Sequence, residues 1–136
     1  NWDSVNRYYV ALLEGKVENS GEIKSYLKET KTLLTYSSKD KKGKLAITKY
    51  NCLQTSNKFS LVEIQILTGR KNQIRVHMNY IKHPIVGDIK YGSKYTQNKI
   101  MCLTAYKIDF SHPITKEKMN LEIDIPKEYI NLITKK

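Results

Sequence analysis

The stretch LTGRKNQIRVHMNYIKHPIVGDIKYG, which runs from Leu67 to Gly92, decides the fold of the surrounding chain. It contains, in order, a Thr-Gly-Arg turn, a basic segment, a His-Pro break and a Gly-Asp turn. This order predicts a loop that enters a short helix, after which the chain turns sharply back.

The helix is predicted from about Lys71 to Ile81, with Pro84 just past its end, where a proline is expected. The spacing of its apolar residues places one stripe toward a core. This stripe consists of Ile74, His77, Met78 and Ile81. The opposite side carries Lys71, Arg75, Asn79 and Lys82.

Strand patterns occur on both sides of this segment, as alternating or continuous apolar runs. The predicted strands are Arg7–Leu13, Gly21–Leu27, Thr32–Tyr36, Leu45–Leu53, Phe59–Leu67, Met101–Phe110 and Met119–Ile125. The second and third are equally compatible with extended connections. Pro126 opens a second short helix. Strands joined mostly by hairpins, with two short helices, predict one α+β domain on an antiparallel or mixed β-sheet.

The charge balance favours a polyanionic partner. Lysine and arginine number 24 against 13 aspartates and glutamates, a net charge of +11. Such an excess is typical of proteins that bind nucleic acid. No apolar run approaches the ~20 residues of a membrane-spanning helix, so RNA or DNA is favoured over a membrane. A lysine-rich protein without such a partner remains the alternative.

Cysteine and histidine usage argues against a metal site. Cys52 and Cys102 lie in apolar strand-like runs without metal-type spacing, which predicts reduced, buried side chains. The three histidines are scattered along the chain. We therefore expect a cytoplasmic monomer that binds neither metal nor membrane.

Two arginines are the first candidates for a functional role. A guanidinium is a planar fork that pairs with carboxylate or phosphate through two hydrogen bonds. Arg70 lies in the Thr-Gly-Arg turn at a helix start, where backbone N–H groups also favour anions. Arg75 lies among lysine and asparagine, so a merely solvated side chain is an equal alternative. Asp88, in the Gly-Asp turn, is predicted to cap that turn.

Tyrosine is the second distinctive feature, with ten tyrosines against two phenylalanines and one tryptophan. A tyrosine ring is a good surface on which to stack an unpaired base, although most of these rings are expected to pack against the sheet. Tyr9 is singled out because its neighbour Tyr8 points to the opposite face of the same strand.

The quoted stretch resembles the RluA-type pseudouridine synthases, whose pattern is TGRxHQIRxH followed by GxPIxGDxxYG. Here it reads LTGRKNQIRVHM at Leu67–Met78 and HPIVGDIKYG at His83–Gly92. RYYVALLEG at Arg7–Gly15 resembles their KxYxAxVxG strand. AITKY at Ala46–Tyr50 and FSHPITKE at Phe110–Glu117 also fit, so the resemblance spans most of the chain in the right order.

The resemblance implies roles for matching positions. Arg75 matches the arginine that pairs with the catalytic aspartate, Tyr9 the tyrosine that packs against the target base, and Ile74 the apolar residue beside it. Arg70 and Gln73 are expected at the wall of the same cleft, and we expect Arg70, Lys71, Gln73 and Ile74 to contact the RNA. The resemblance implies no metal and no organic cofactor, and an RNA substrate for which rRNA is favoured over tRNA.

Three positions depart from the family pattern: Asn72 replaces a histidine, Lys82 a glycine, and Thr104 a common histidine. The family's catalytic aspartate belongs to an H-R-L-D-x-x-T-S-G motif before the tyrosine strand, and the printed sequence contains no match to it. We therefore expect residues 1–136 to be the later part of the catalytic domain, and we expect Arg75 to lack a carboxylate partner.

The implied activity is the isomerisation of uridine to pseudouridine in RNA by the intact parent protein. A non-catalytic RNA-binding module of the ribosome-associated type is the alternative, because charge and tyrosine content fit both equally.

Overall fold

The structure is a computed structural model, which describes residues 5–31, 34–95 and 100–134. In this part the strands are β1 Val5–Glu14, β2 Ser20–Glu29, β3 Thr35–Ser38, β4 Lys44–Thr55, β5 Phe59–Ile66, β6 Leu103–Ser111 and β7 Lys118–Glu122. The helices are α1 Gln73–Tyr80 and α2 Lys127–Thr134, with a 3-10 turn at Ile89–Tyr91. No helix among these residues is long and apolar enough to cross a membrane.

The strands form one antiparallel sheet in the order β3-β2-β4-β5-β1-β6-β7. β1 lies between β5 and β6, and four consecutive residues in its second half, Val10 to Leu13, are fully buried. Burial of consecutive residues requires cover on both faces, as the apolar pattern of this strand predicts. The predicted α+β class is confirmed.

Helix α1 covers one face of the sheet. The Thr48 hydroxyl of β4 contacts the side chains of Gln73 and His77 in α1, so the side chain of Thr48 marks this face. Thr48 pairs with Ile66, and Ile66 pairs with Arg7 of β1. Because side chains alternate along a strand, Tyr9 lies on the α1 face with Arg7.

Helix α2 covers the opposite face. The hydroxyl of Tyr129 lies 2.7 Å from that of Thr104 in β6, and Thr104 pairs with Val10 of β1. Tyr129 and Ile133 are the buried residues of this helix. The sheet is therefore packed between two helices, and its α1 face carries the residues that the quoted motif singles out.

Several predicted boundaries differ from the structure. Helix α1 begins at Gln73, not Lys71, because Asn72 has a left-handed backbone (φ 56°) that cannot continue a helix. The predicted Thr32–Tyr36 strand begins outside the described residues, and β3 is Thr35–Ser38. Strand β7 ends at Glu122, and Leu121 and Ile123 remain 58% and 56% exposed because this strand lies at the sheet edge.

Candidate functional site

Gln73 holds the Thr-Gly-Arg loop from inside. Its amide nitrogen donates to the Ile47 carbonyl and the Thr48 hydroxyl, both at 2.9 Å. Its amide oxygen accepts from the Thr68 hydroxyl at 2.7 Å and from the Arg70 backbone at 3.0 Å. With 3% exposure, Gln73 shapes the loop and does not form its surface.

The loop presents two cations at the surface. Arg70 is exposed, and its Nε donates to the Leu45 carbonyl at 2.8 Å, which fixes the side chain against the start of β4. Lys71 pairs with Glu29 at 3.0 Å, and both side chains are well exposed. Exposed pairs of this kind contribute only about 0–1 kcal/mol to stability, so Lys71 can exchange its partner readily.

Arg75 is bound to Asp88 through two parallel hydrogen bonds. Its Nε donates to Oδ2 at 3.0 Å and its Nη2 to Oδ1 at 2.8 Å. Its Nη1 makes a longer contact of 3.4 Å with Asn72, and the guanidinium lies 4.7 Å from the centre of the Tyr91 ring. The pKa of Arg75 is raised above its ordinary value, mainly by the hydrogen bond to Asp88, which outweighs partial burial.

This pair overturns two expectations. Arg75 does have a carboxylate partner in this chain, and the Asp88 carboxylate makes no capping hydrogen bond. Only the Asp88 backbone serves the turn, because its carbonyl accepts from the N–H groups of Tyr91 and Ser93. The side chain is free to pair because the segment after α1 folds back along the helix, a tertiary contact that local turn chemistry does not reveal.

The returning segment is held rigidly around Asp88. Gly87 has a φ of 88°, and a Cβ there would lie 2.3 Å from the Ile100 carbonyl oxygen, so only glycine fits. The Tyr91 hydroxyl accepts hydrogen bonds from the Thr35 backbone at 3.1 Å and from the Asn72 amide at 3.3 Å. Asn72 and Tyr91 are thus supports of the Arg75 site that sequence reasoning missed. The G-D-x-x-Y-G motif, which contains both Asp88 and Tyr91, was the sequence feature that could have pointed to Tyr91.

Tyr9 and Ile74 lie on the same side of the sheet as Arg75. Tyr9 is half-buried on the α1 face of β1 and packs against the main core, to which Ile74 of α1 contributes. Arg75 follows Ile74 in the helix, and its guanidinium is turned toward Asp88 and Tyr91. Tyr9 and helix α1, which carries Ile74 and Arg75, therefore lie on the same face of the sheet. That Tyr9 and Arg75 share one cleft stays a prediction.

His77 is a buried neutral residue beneath this site. Its ring nitrogens lie 2.9 Å from the Ser25 hydroxyl and 2.7 Å from the Thr48 hydroxyl, and the residue is fully buried. Burial lowers the pKa of His77 to about 4, because a charged ring would lose its hydration. His77 therefore belongs to a polar network that joins α1 to β2 and β4.

We expect His77 to make the fold sensitive to mild acid. Its pKa is about 4 when folded and 6.5 when exposed, so the unfolded chain takes up the proton first as the pH falls. Stability is full above about pH 6.5 and declines by up to about 3 kcal/mol near pH 4. Urea unfolding at a series of pH values measures this, with the His77→Gln variant, which does not titrate, as the control. Equal pH dependence in both proteins would contradict the assignment.

No group of three or more histidine, cysteine, aspartate or glutamate side chains within residues 5–31, 34–95 and 100–134 is arranged to hold a metal ion. The described polar groups around Arg75 are the buried Asp88 carboxylate, the Asn72 amide and the Tyr91 ring.

Comparison with known proteins gives a consistent family. The family of RNA pseudouridylate synthases matches residues 2–80. An uncharacterized RNA pseudouridine synthase of Helicobacter pylori J99 is 38% identical over 105 residues, covering 77% of this chain and 43% of that protein. Ribosomal large subunit pseudouridine synthase D of Buchnera aphidicola is 34% identical over 143 residues, covering 95% of this chain and 45% of that protein.

A solved structure agrees with these sequence relatives. Human RNA pseudouridylate synthase domain containing 1 superimposes with a TM-score of 0.76 and 25% identity, covering 90% of this chain and 55% of that one. The chain spans less than half the length of the two bacterial relatives above. The match to the family, together with the motif order along the chain, shows that this chain belongs to the RNA pseudouridylate synthases, as its resemblance to the RluA type predicted.

Proposed function

We propose that this chain carries the arginine and tyrosine part of an RNA pseudouridine synthase active site. The observation that carries the proposal is the Arg75 guanidinium, whose orientation is fixed by two parallel hydrogen bonds to Asp88. It lies on the sheet face where Tyr9 and Ile74 pack. A guanidinium in a fixed position suits a reaction in which a carboxylate attacks a nucleoside, and the Tyr9 ring on the same sheet face suits packing against the base.

We assign the nucleophilic aspartate to a segment of the protein outside residues 1–136. The chain covers less than half of the two bacterial relatives described above, and residues 1–136 contain no H-R-L-D motif. We therefore propose that residues 1–136 are the later part of a catalytic domain whose aspartate is encoded upstream in the same gene. Arg75 binds Asp88 through Nε and Nη2, and its Nη1 makes only a 3.4 Å contact with Asn72. We propose that Nη1 binds the second carboxylate.

The chemistry follows from these positions. The target uridine leaves its stack and enters the cleft, where Tyr9 packs against the base. The aspartate attacks the nucleoside and the glycosidic bond to N1 breaks. The base then turns and C5 bonds to the sugar as the aspartate is released. The C5 hydrogen leaves as a proton, and N1 takes up a proton from solvent. Arg75 keeps the aspartate ionised, because an opposite charge within hydrogen-bonding distance lowers a carboxylate pKa.

The surroundings of the site favour RNA, and rRNA in particular. Arg70 and Lys71 present cations beside α1, and the chain has a net charge of +11. Gln73 acts indirectly, because it shapes the loop that carries Arg70. Relatives are named ribosomal large subunit pseudouridine synthases, which supports rRNA over tRNA as the substrate. We also propose a cytoplasmic monomer; the unbridged Cys52 and Cys102 favour a reducing compartment.

A tritium-release assay tests the proposed activity. RNA labelled at C5 of uridine loses its label when pseudouridine forms, so the full-length gene product is expected to release tritium from an rRNA transcript. Residues 1–136 alone are expected to release none, because they lack the nucleophile. A full-length protein that binds rRNA but releases no tritium from any fragment of it would favour the non-catalytic RNA-binding module.

Salt dependence tests RNA binding separately from catalysis. We expect residues 1–136 to bind structured RNA weakly, with log affinity falling linearly as log salt concentration rises, because bound cations displace counterions from the phosphates. Fluorescence anisotropy from low to physiological salt measures the slope. Binding that does not change with salt, or no binding at low salt, is the result that speaks against an RNA partner.

A further inference from the structure

A cleft lies beside the Thr-Gly-Arg loop, and neither Arg75 nor Asp88 lines it. It has a volume of about 460 Å³ and is formed by the end of β2, the start of β3, the start of β4 and the loop before α1. Its chemically distinctive lining residues are Lys28, Tyr36, Lys42, Lys44, Arg70 and Lys71.

The cleft is strongly positive. Five cations line it against one carboxylate, that of Glu29, which pairs with Lys71. Lys28 pairs with Asp40 outside the lining. For Lys42, Lys44 and Arg70, no carboxylate among the described residues lies within ion-pair distance. Three cations in one cleft repel each other, so an anionic ligand that bridges them is stabilised.

An aromatic ring stands among these cations. Tyr36 lines the same cleft, and it is 42% exposed. It lies on β3 opposite Lys28 of β2, so the ring is carried by a paired strand and not by a loose loop. An exposed ring between cations is the arrangement that binds single-stranded nucleic acid, in which bases stack and phosphates pair.

The cleft is also connected to the Arg75 site. Thr35 lines the cleft, and its backbone N–H donates to the hydroxyl of Tyr91, the ring against which Arg75 lies. Arg70 lines the cleft from the loop that Gln73 fixes at the start of α1. An RNA segment bound in the cleft would therefore be close to a nucleotide held at Arg75.

We propose that this cleft binds a single-stranded RNA segment flanking the modified uridine. The phosphates bind Lys42, Lys44 and Arg70, and one unpaired base stacks on Tyr36. The inference rests on the proposed RNA substrate and adds a site to it. An acidic protein segment would satisfy the cations but leave the exposed ring without a flat partner, which is why RNA is the ligand we select.

Charge variants of residues 1–136 test the phosphate contacts. The Lys42→Gln/Lys44→Gln variant is compared with Lys16→Gln/Lys58→Gln, which removes the same charge from exposed positions near the opposite end of β4. The probe is a labelled oligouridylate of about ten nucleotides, followed by anisotropy. We expect the cleft variant to bind about tenfold more weakly at low salt, with a log–log slope smaller by about 1.4, and the control to change little.

Variants of Tyr36 test the stacking contact. Tyr36→Ala is expected to weaken binding at least about fivefold without changing the salt slope, whereas Tyr36→Phe, which keeps the flat ring, should stay within about twofold. Thermal melting of every variant confirms that the fold is unchanged. A polyglutamate peptide of equal charge is expected to compete poorly.

The results distinguish an incorrect assignment of the cleft from an incorrect proposal of RNA as the substrate. Equal losses in the cleft and control variants, with normal binding by the unaltered chain, would overturn the cleft while leaving the proposed function standing. Absence of oligouridylate and rRNA binding by the unaltered chain at low salt would overturn both. Polyglutamate that binds as tightly as RNA and ignores Tyr36→Ala would assign the cleft to an acidic protein.

Discussion

Replacing Arg75 with alanine in the full-length protein is expected to lower the single-turnover rate of pseudouridine formation at least a hundredfold. In the proposed site Arg75 holds the nucleophilic aspartate ionised, and loss of one partner from a buried ion pair costs on the order of 3–5 kcal/mol. Each ~1.4 kcal/mol of barrier changes a rate tenfold. The rate is measured by tritium release with enzyme in excess over RNA, at a temperature where the variant is folded.

Two further variants distinguish catalysis from folding. Arg75→Lys returns a positive charge to Asp88 but not the planar fork, so it is expected to recover most of the stability and only part of the rate. Arg70→Ala is expected to weaken RNA binding and leave the saturated rate near normal. A near-normal rate in Arg75→Ala, together with a lost rate in Arg70→Ala, would reverse the roles of the two arginines.

Breaking the pair from its other side is expected to show that Asp88 orients Arg75. Asp88→Asn should reduce the free energy of unfolding by about 2–3 kcal/mol, less than Arg75→Ala does. The reason is the unequal burial of the partners, since the Arg75 side chain is 25% exposed and that of Asp88 only 1%. An arginine left alone stays partly hydrated, whereas a carboxylate left alone is buried. Urea unfolding of both variants at neutral pH measures the difference.

A double replacement sharpens this test. Arg75→Met/Asp88→Leu removes both charges and retains apolar volume, so it is expected to be more stable than either single variant while remaining inactive. Single variants that each cost less than about 1 kcal/mol and add independently would indicate a surface pair without a structural role.

Local patterns were sufficient for most of the secondary structure. The alternation around Tyr9 and the paired runs on either side of residues 55–57 correspond to β1, β4 and β5. Strand and helix periodicity reflect side-chain direction over a few residues, which sequence contains directly. Strand ends were less accurate at β7, because Leu121 and Ile123 have an apolar pattern but lie at the sheet edge.

The roles of individual polar residues were less accessible. Gln73 and Asp88 stand in the motif as plausible surface groups, yet one is the internal support of a loop and the other the buried partner of Arg75. Whether a polar side chain is buried depends on which elements pack over it, and nothing within a few residues of Asp88 indicates that α1 lies against it.

By itself, the sequence determined the α+β class and the family. It also nominated Arg75 and Tyr9 for the proposed chemistry, an assignment that stays a prediction. These follow from local periodicity and from an ordered motif. Only the tertiary structure decided that Asp88 forms an ion pair with Arg75, and that Tyr36, Lys42 and Arg70 line one cleft. The physical reason is that such contacts arise where the sheet and the returning loop bring together residues distant in the chain.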